Sequence, residues 1–206
     1  MFKENAVILF QGDSITDTHR SRTDDRNLGE GYVDKINTLL QERYPERGIK
    51  VLNRGISGNR TVDLLNRWEE DCIKLAPDYL SILIGVNDTG RRYDSNDPTS
   101  ADDFADRLRT IIEMSLNKTS AEIILLNPFL VDINENITHM REDLSDKQAA
   151  VKSLAAEYKT RFLDLDELFR TCARNGNPGD YAQDGVHPTS VGHALIAEAW
   201  LKAWAN

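Results

Sequence analysis

Cysteine is scarce in this chain: Cys72 and Cys172 are the only two among 206 residues, and nothing in their spacing asks for a disulfide. Cys72 falls on the apolar face of a helical segment and reads as a small buried hydrophobe. Basic charge is also in deficit. Lys and Arg number 25 against 34 Asp and Glu, for a formal net charge of −9, and no basic stripe offsets it. That balance argues against a polyanion partner such as nucleic acid. No apolar run approaches the ~20 residues needed to span a bilayer. The opening Met1-Phe2-Lys3-Glu4-Asn5 leads into strand-like sequence without the features of a signal peptide. The expected location is cytoplasmic, which makes the sequons at Asn59, Asn117 and Asn136 chance matches. There is no internal repeat, linker or low-complexity stretch, and the length suits one sizeable core, so residues 1–206 are expected to form a single domain.

What is present is alternation. Strand-like runs occur at about 6–11, 49–53, 79–84, 122–126 and 161–165, each followed by turn chemistry. Between them lie helical patterns: Val33, Ile36, Leu39 and Leu40; Leu64, Leu65, Trp68, Cys72 and Ile73, with Thr61 as candidate cap; and Phe104, Leu108, Ile111 and Ile112. A further helix is expected from about 142 to 158, a brief helical piece near 166–173, and a last helix near 189–204. Residues 89–100 read as a long polar connection and 129–140 as an irregular segment. The almost wholly apolar run from Tyr79 to Ile84 suits a strand covered on both faces. Five strands alternating with helices predict a parallel sheet in a three-layer α/β/α sandwich, with right-handed crossovers. The flavodoxin-like strand order 2-1-3-4-5 is the doubly wound arrangement chosen.

The informative polar residues follow strands. Ser14 lies beyond the first, Gly58 and Asn59 beyond the second, Asn87 and Asp88 beyond the third, and Asp184 and His187 in the last loop. Parallel strands point their carboxyl ends the same way, so these groups can converge in one cleft. Their chemistry fits acyl transfer. A serine hydroxyl becomes a nucleophile when a base removes its proton, and imidazole is the side chain suited to that near neutral pH. Asp184, three residues before His187, can accept the Nδ1 proton and leave Nε2 facing Ser14. The N–H of Gly58, the N–H of Ser14 and the amide of Asn87 are candidate donors to the oxyanion. Each segment alone also reads as an ordinary turn. The other histidines, His19, His139 and His193, have no comparable partner and read as surface or satisfied structural groups.

Gly12-Asp13-Ser14, Gly55-Ile56-Ser57-Gly58, Gly85-Val86-Asn87-Asp88 and Asp184-Gly185-Val186-His187-Pro188 together resemble the four sequence blocks of the SGNH (GDSL-type) hydrolases, in the family's order. The resemblance implies a catalytic triad of Ser14, Asp184 and His187, an oxyanion hole from Ser14, Gly58 and Asn87, and no metal or organic cofactor. Thr16-Asp17, Leu28-Gly29-Glu30-Gly31-Tyr32-Val33, Arg67-Trp68-Glu69-Glu70-Asp71 and Val191-Gly192-His193 look most like its acetylxylan-esterase branch. The similarity is weakest between about 96 and 177. One departure stands out: sugar-ester members carry an aromatic before the catalytic acid, and this chain has Gln183. That residue bears on the acyl pocket or sugar contacts and leaves the triad alone.

The implied activity is deacetylation of xylo-oligosaccharides or related carbohydrates through an acetyl-Ser14 intermediate. A lysophospholipase or acyl-thioesterase on the same triad ranks second, since no extended apolar loop stands out to line an acyl channel. A non-catalytic carbohydrate-binding protein ranks third, because Ser14 and His187 are both present. Nucleotide binding is poorly supported, as Gly55-Ile56-Ser57-Gly58 lacks the Gly-x-Gly-x-x-Gly spacing. Asp13, Asp17 and Asp88 raise the question of a metal hydrolase, and insensitivity to chelators is expected. Arg91, Arg92 and Tyr93 are candidates to border the substrate. Ile196, Trp200 and Trp204 form a stripe suited to packing on the sheet, with Trp204 a candidate subunit contact in a homo-oligomer.

Overall fold

Strand β1 (Val7–Gly12) lies inside the sheet, and alternate side chains along it serve opposite faces. Ile8 and Phe10 point into one apolar cluster and Leu9 into another. The computed structural model describes residues 2–205. Strands β2 (Lys50–Asn53), β3 (Tyr79–Leu83), β4 (Glu122–Leu126) and β5 (Arg161–Leu163) complete a five-stranded sheet in the order β2-β1-β3-β4-β5, parallel throughout. The order reverses beside β1, so the β1 and β3 carboxyl ends flank the crevice where such sheets bind ligands.

Eight α-helices complete the described chain: α1 (Ser14–Asp17), α2 (Tyr32–Arg43), α3 (Thr61–Asp71), α4 (Val86–Asp94), α5 (Ala101–Lys118), α6 (Glu135–Tyr158), α7 (Leu165–Asn175) and α8 (Ser190–Ala205). Helices α2 and α8 cover one face, contributing Tyr32, Val33, Ile36, Leu40, Ile196 and Trp200 to its core. Helices α3 and α5 cover the other with Leu64, Trp68, Cys72, Phe104, Leu108, Ile111 and Ile112. Burying each large aliphatic side chain contributes about 1.5–3 kcal/mol. The indoles need partners as well as cover. Trp200 Nε1 donates to Ser81 Oγ at 3.1 Å and Trp68 Nε1 to Ser115 Oγ at 3.0 Å. Cys72 is fully buried as expected, and both cysteines are free thiols. Among the described residues no helix is long and apolar enough to cross a membrane.

The structure corrects several expectations. Residues 86–94 form helix α4 rather than opening a long polar connection. Its inward face carries Asp88 and Thr89 with only Val86 for apolar cover, so periodicity gave no signal. Helix α6 starts at Glu135 rather than near 142, because Asn134 Oδ1 accepts from the N–H of Ile137 at 3.1 Å and caps it. Thr61 is not the cap of α3. Arg60 holds that position, with its N–H donating to Asp63 at 2.8 Å, while the Thr61 hydroxyl donates to Asp88 at 2.7 Å. Trp204 is buried among Phe2, Tyr79 and Trp200, with the Arg161 guanidinium 4.6 Å above its ring. That packing removes it as a subunit contact.

Candidate active site

Gly12 ends β1, and Asp13 turns the chain into the single turn of α1, whose first residue is Ser14. Asp13 caps that turn, with Oδ1 accepting from the N–H of Ile15 at 3.0 Å. Its other oxygen is sealed in the interior without a hydrogen-bond partner. Burial therefore pushes the Asp13 pKa up to about 7. The Ser14 N–H, at the helix start, is committed to no acceptor among the described residues.

Opposite Ser14, the last loop is closed by a bridge between Ala182 and Pro188 and by the bond from the Val131 N–H to Gly185 O at 2.8 Å. Gly185 has φ +80°, and a Cβ there would sit 2.8 Å from both Val131 O and the Ile137 side chain. Only glycine meets both conditions without strain. Within this turn Asp184 Oδ1 accepts from the N–H of Val186 at 2.9 Å and of His187 at 2.7 Å, and Oδ2 accepts from His187 Nδ1 at 2.7 Å. Partial burial raises the Asp184 pKa, but the bonds from His187 and Val186 outweigh it and hold the carboxyl below its ordinary range. An ionised Asp184 keeps the imidazole proton on Nδ1, so Nε2 accepts from the Ser14 hydroxyl at 2.9 Å. Serine, histidine and aspartate thus form one continuous hydrogen-bonded chain.

The second and third strand ends supply the remaining groups. Gly58, at φ +82°, carries an N–H with no acceptor among the described residues. Asn87 donates one amide hydrogen to Asn59 O at 3.1 Å, which orients the side chain and leaves the other hydrogen free. Asn59 is itself held by Arg67 Nε at 2.9 Å. Two cavities meet at His187. One, about 620 Å³, is lined by Ser14, Thr18, Glu30, Ser57, His187 and His193 among others. The other, about 560 Å³, is lined by Asn87, Tyr93, His139, Met140, Val186 and His187 among others. Gly58 lies in sequence between Ser57, on the first cavity, and Asn59, which touches Asn87. Ser14, Gly58, Asn87, Asp184 and His187 are therefore brought to one edge of the sheet.

The neighbouring candidates divide. Tyr93 lines the second cavity, whereas Arg92 pairs with Asp143 at 3.1 Å away from it. Arg91 pairs with Asp94 at 2.5 Å and passes close to Gly58. Gln183 is exposed. The three acids that raised the metal question are each engaged elsewhere. Asp13 caps α1, Asp17 accepts from the N–H and hydroxyl of Ser57 at 2.9 and 3.0 Å, and Asp88 accepts from the N–H and hydroxyl of Thr61.

Sequence reasoning missed the anchors. Asn53 donates to Thr16 O and Leu28 O at 2.6 and 2.8 Å and accepts from the Gly55 N–H at 2.9 Å, tying three loops together. Asp17, Arg67 and His193 act similarly. These three enter the family resemblance only as matching residues; their bonds to Ser57, Asn59 and Tyr32 are what the structure adds.

The sequence profile of the GDSL-like lipase/acylhydrolase family matches residues 10–195. The chain belongs to that family. It is 39% identical over 203 residues to an acetylxylan esterase of Geobacillus stearothermophilus, covering 95% of this chain and 92% of that protein. A crystal structure of an acetylxylan esterase from the same organism superposes with a TM-score of 0.91 at 38% identity, covering 98% of this chain and 94% of the other. An alpha/beta hydrolase enzyme from the metagenome of Lake Arreo, Spain, matches at TM-score 0.90 and 29% identity, over 99% and 97% of the two chains. The order of the sheet and the placement of the acylhydrolase blocks at its carboxyl edge agree with this membership.

Proposed function

We propose that this chain is a serine esterase that removes acetyl groups from carbohydrates, with acetylated xylo-oligosaccharides as the substrate class. The reading rests on the hydrogen-bonded chain from Ser14 through His187 to Asp184, at 2.9 and 2.7 Å, in a protein similar to an acetylxylan esterase over nearly its whole length. His187 Nε2 takes the Ser14 proton as Oγ attacks the acetyl carbonyl carbon. The negative oxygen of the tetrahedral intermediate accepts hydrogen bonds from the N–H groups of Ser14 and Gly58 and from the free amide hydrogen of Asn87. Collapse breaks the ester bond, and His187 gives its proton to the departing sugar oxygen. Water, deprotonated by His187, then hydrolyses acetyl-Ser14 to acetate and free enzyme. Asp184 holds the ring and stabilises the imidazolium without taking the proton. Every step is served by this chain's own groups, acting as a single domain.

Acetate release from acetylated xylo-oligosaccharides, compared with hydrolysis of acetyl, octanoyl and palmitoyl esters of p-nitrophenol, tests the proposal. The acetyl esters are expected to be the best substrates, and Ser14→Ala is expected to lose at least about 10³-fold in kcat with folding unchanged. A long-chain optimum, or full activity without Ser14, overturns it.

A further inference from the structure

His193 stands in the first turn of α8, inside the wall of the cavity that also exposes Ser14 and His187. Only 7% of it is exposed. Its Nδ1 accepts from the N–H of Tyr32 at 3.2 Å, and the two rings stack with centroids 6.3 Å apart and planes 15° from parallel. Tyr32 is itself fixed, fully buried with its hydroxyl 2.9 Å from Thr16 Oγ1. A nitrogen that accepts from a backbone N–H carries no proton, so the neutral ring must carry its proton on Nε2. Burial, reinforced by the positive charge of Lys35 and by His187, depresses the His193 pKa to about 4. The imidazole is thus neutral, in one tautomer, through the range in which esterases work. Among the described residues Nε2 has no partner, yet it is not one of the polar atoms sealed from solvent.

Few side chains are so restricted in what they can offer. His193 cannot serve as a base, because Nδ1 is occupied and Nε2 already holds the proton. It presents a rigid N–H donor to the cavity. The same cavity is lined by Glu30, Thr18, His19, Ser57 and Ser190, with apolar cover from Ile15 and Pro188. Lys35 Nζ reaches Ser190 Oγ at 3.4 Å. Donor and acceptor side chains beside the nucleophile match a polyhydroxylated leaving group.

Building on the esterase reading above, we propose that this cavity is the subsite for the sugar ring bearing the acetyl group, and that His193 is a specificity residue whose Nε2–H donates to an oxygen of that sugar. A planar aryl leaving group without hydroxyls has little use for this donor. Removing it should therefore penalise sugar esters more than p-nitrophenyl acetate.

Two substitutions separate this role from simple packing. In His193→Asn the amide oxygen reaches the position of Nδ1 and keeps the bond from Tyr32, but the cavity donor is lost. In His193→Gln the longer amide places a donor near Nε2 and weakens the hold on Tyr32. The proposal expects the Asn variant to lose at least tenfold more kcat/KM on acetylated xylo-oligosaccharides than on p-nitrophenyl acetate, chiefly through KM. It expects the Gln variant to recover part of that difference despite a lower melting temperature. Equal losses on both substrates, or a Gln variant more selectively impaired than the Asn one, would show a structural role and overturn the inference alone. Failure of the wild type to deacetylate any sugar ester while cleaving p-nitrophenyl acetate would overturn the carbohydrate reading and this subsite with it.

Discussion

The serine side of the site is assembled from buried groups, whereas the histidine side stands in the open. Asp13 and Asp17 are 1% and 3% exposed, and Ser14 follows β1, an interior strand of the sheet. Its surroundings are tied together by bonds across long sequence separations, Asp17 to Ser57 and Asn53 to Thr16 and Leu28, and by the shorter-range bond of Arg67 to Asn59. On the other side the His187 and Asp184 side chains are 54% and 57% exposed. Their bonds run within one turn, from residues 186 and 187 back to 184. Ser14 is therefore positioned by the whole fold, and His187 by a local turn seated on Val131 and Ile137 through Gly185. Two groups 2.9 Å apart should then respond to substitution in opposite ways.

The largest effect tests the histidine side. His187→Ala should lower kcat for p-nitrophenyl acetate by about 10⁴-fold or more, since a serine without its base is nearly inert. Because the side chain is exposed and held locally, the melting temperature should stay within about 2 °C. A protein destabilised by several kcal/mol would show that the turn is part of the folding core, and the comparison would break.

Asp17→Ala probes the serine side. It leaves the Ser57 N–H, the Ser57 hydroxyl and Arg22 without their shared acceptor. Losing a buried charged acceptor should cost about 2–4 kcal/mol in urea unfolding, and activity should fall with it as the loop bearing Gly58 loosens. Full activity at unchanged stability would mean that loop is held by other contacts.

A third test concerns pH dependence. The folded pKa of Asp13, near 7, lies above its unfolded value, so the stability it contributes is complete below about pH 4 and is lost as pH rises toward 7. The slope in that window is on the order of 1.4 kcal/mol per pH unit. Asn caps a helix as well as Asp does and cannot ionise. Asp13→Asn should therefore gain stability relative to the wild type steadily between pH 4 and 7. His193, depressed to about 4, works in the opposite direction over pH 4 to 6.5 but is common to both proteins and cancels in the difference. Parallel stability curves for the two would show that Asp13 is not a strained carboxyl.

How much of this was legible depended on whether a feature repeats. Strands β1 and β3 and helices α2, α3 and α5 bury apolar residues at regular spacing, and each was readable within a few residues of its bounds. Helix α4 was not, since it buries Asp88 and Thr89, and a helix that turns polar groups inward leaves no apolar stripe. For Trp204 the apolar stripe pointed to packing on the sheet, which holds, whereas the alternative of a subunit contact drawn from its terminal position does not, because Phe2, Tyr79 and Arg161 close over it from elsewhere in the chain.

Among the site groups, Ser14, Gly58 and Asn87 stood out because each follows a strand-like run in a chain whose alternation implies a parallel sheet with one shared carboxyl edge, whereas Asp184 and His187 stood out by their three-residue spacing in the last loop. Local order alone therefore carried their convergence. The tautomer of His193, the strained burial of Asp13 and the anchoring by Asp17 and Asn53 came instead from distant neighbours. Hydrogen bonding and desolvation act across space, and a side chain's protonation follows from what the fold packs against it rather than from what precedes it in the chain.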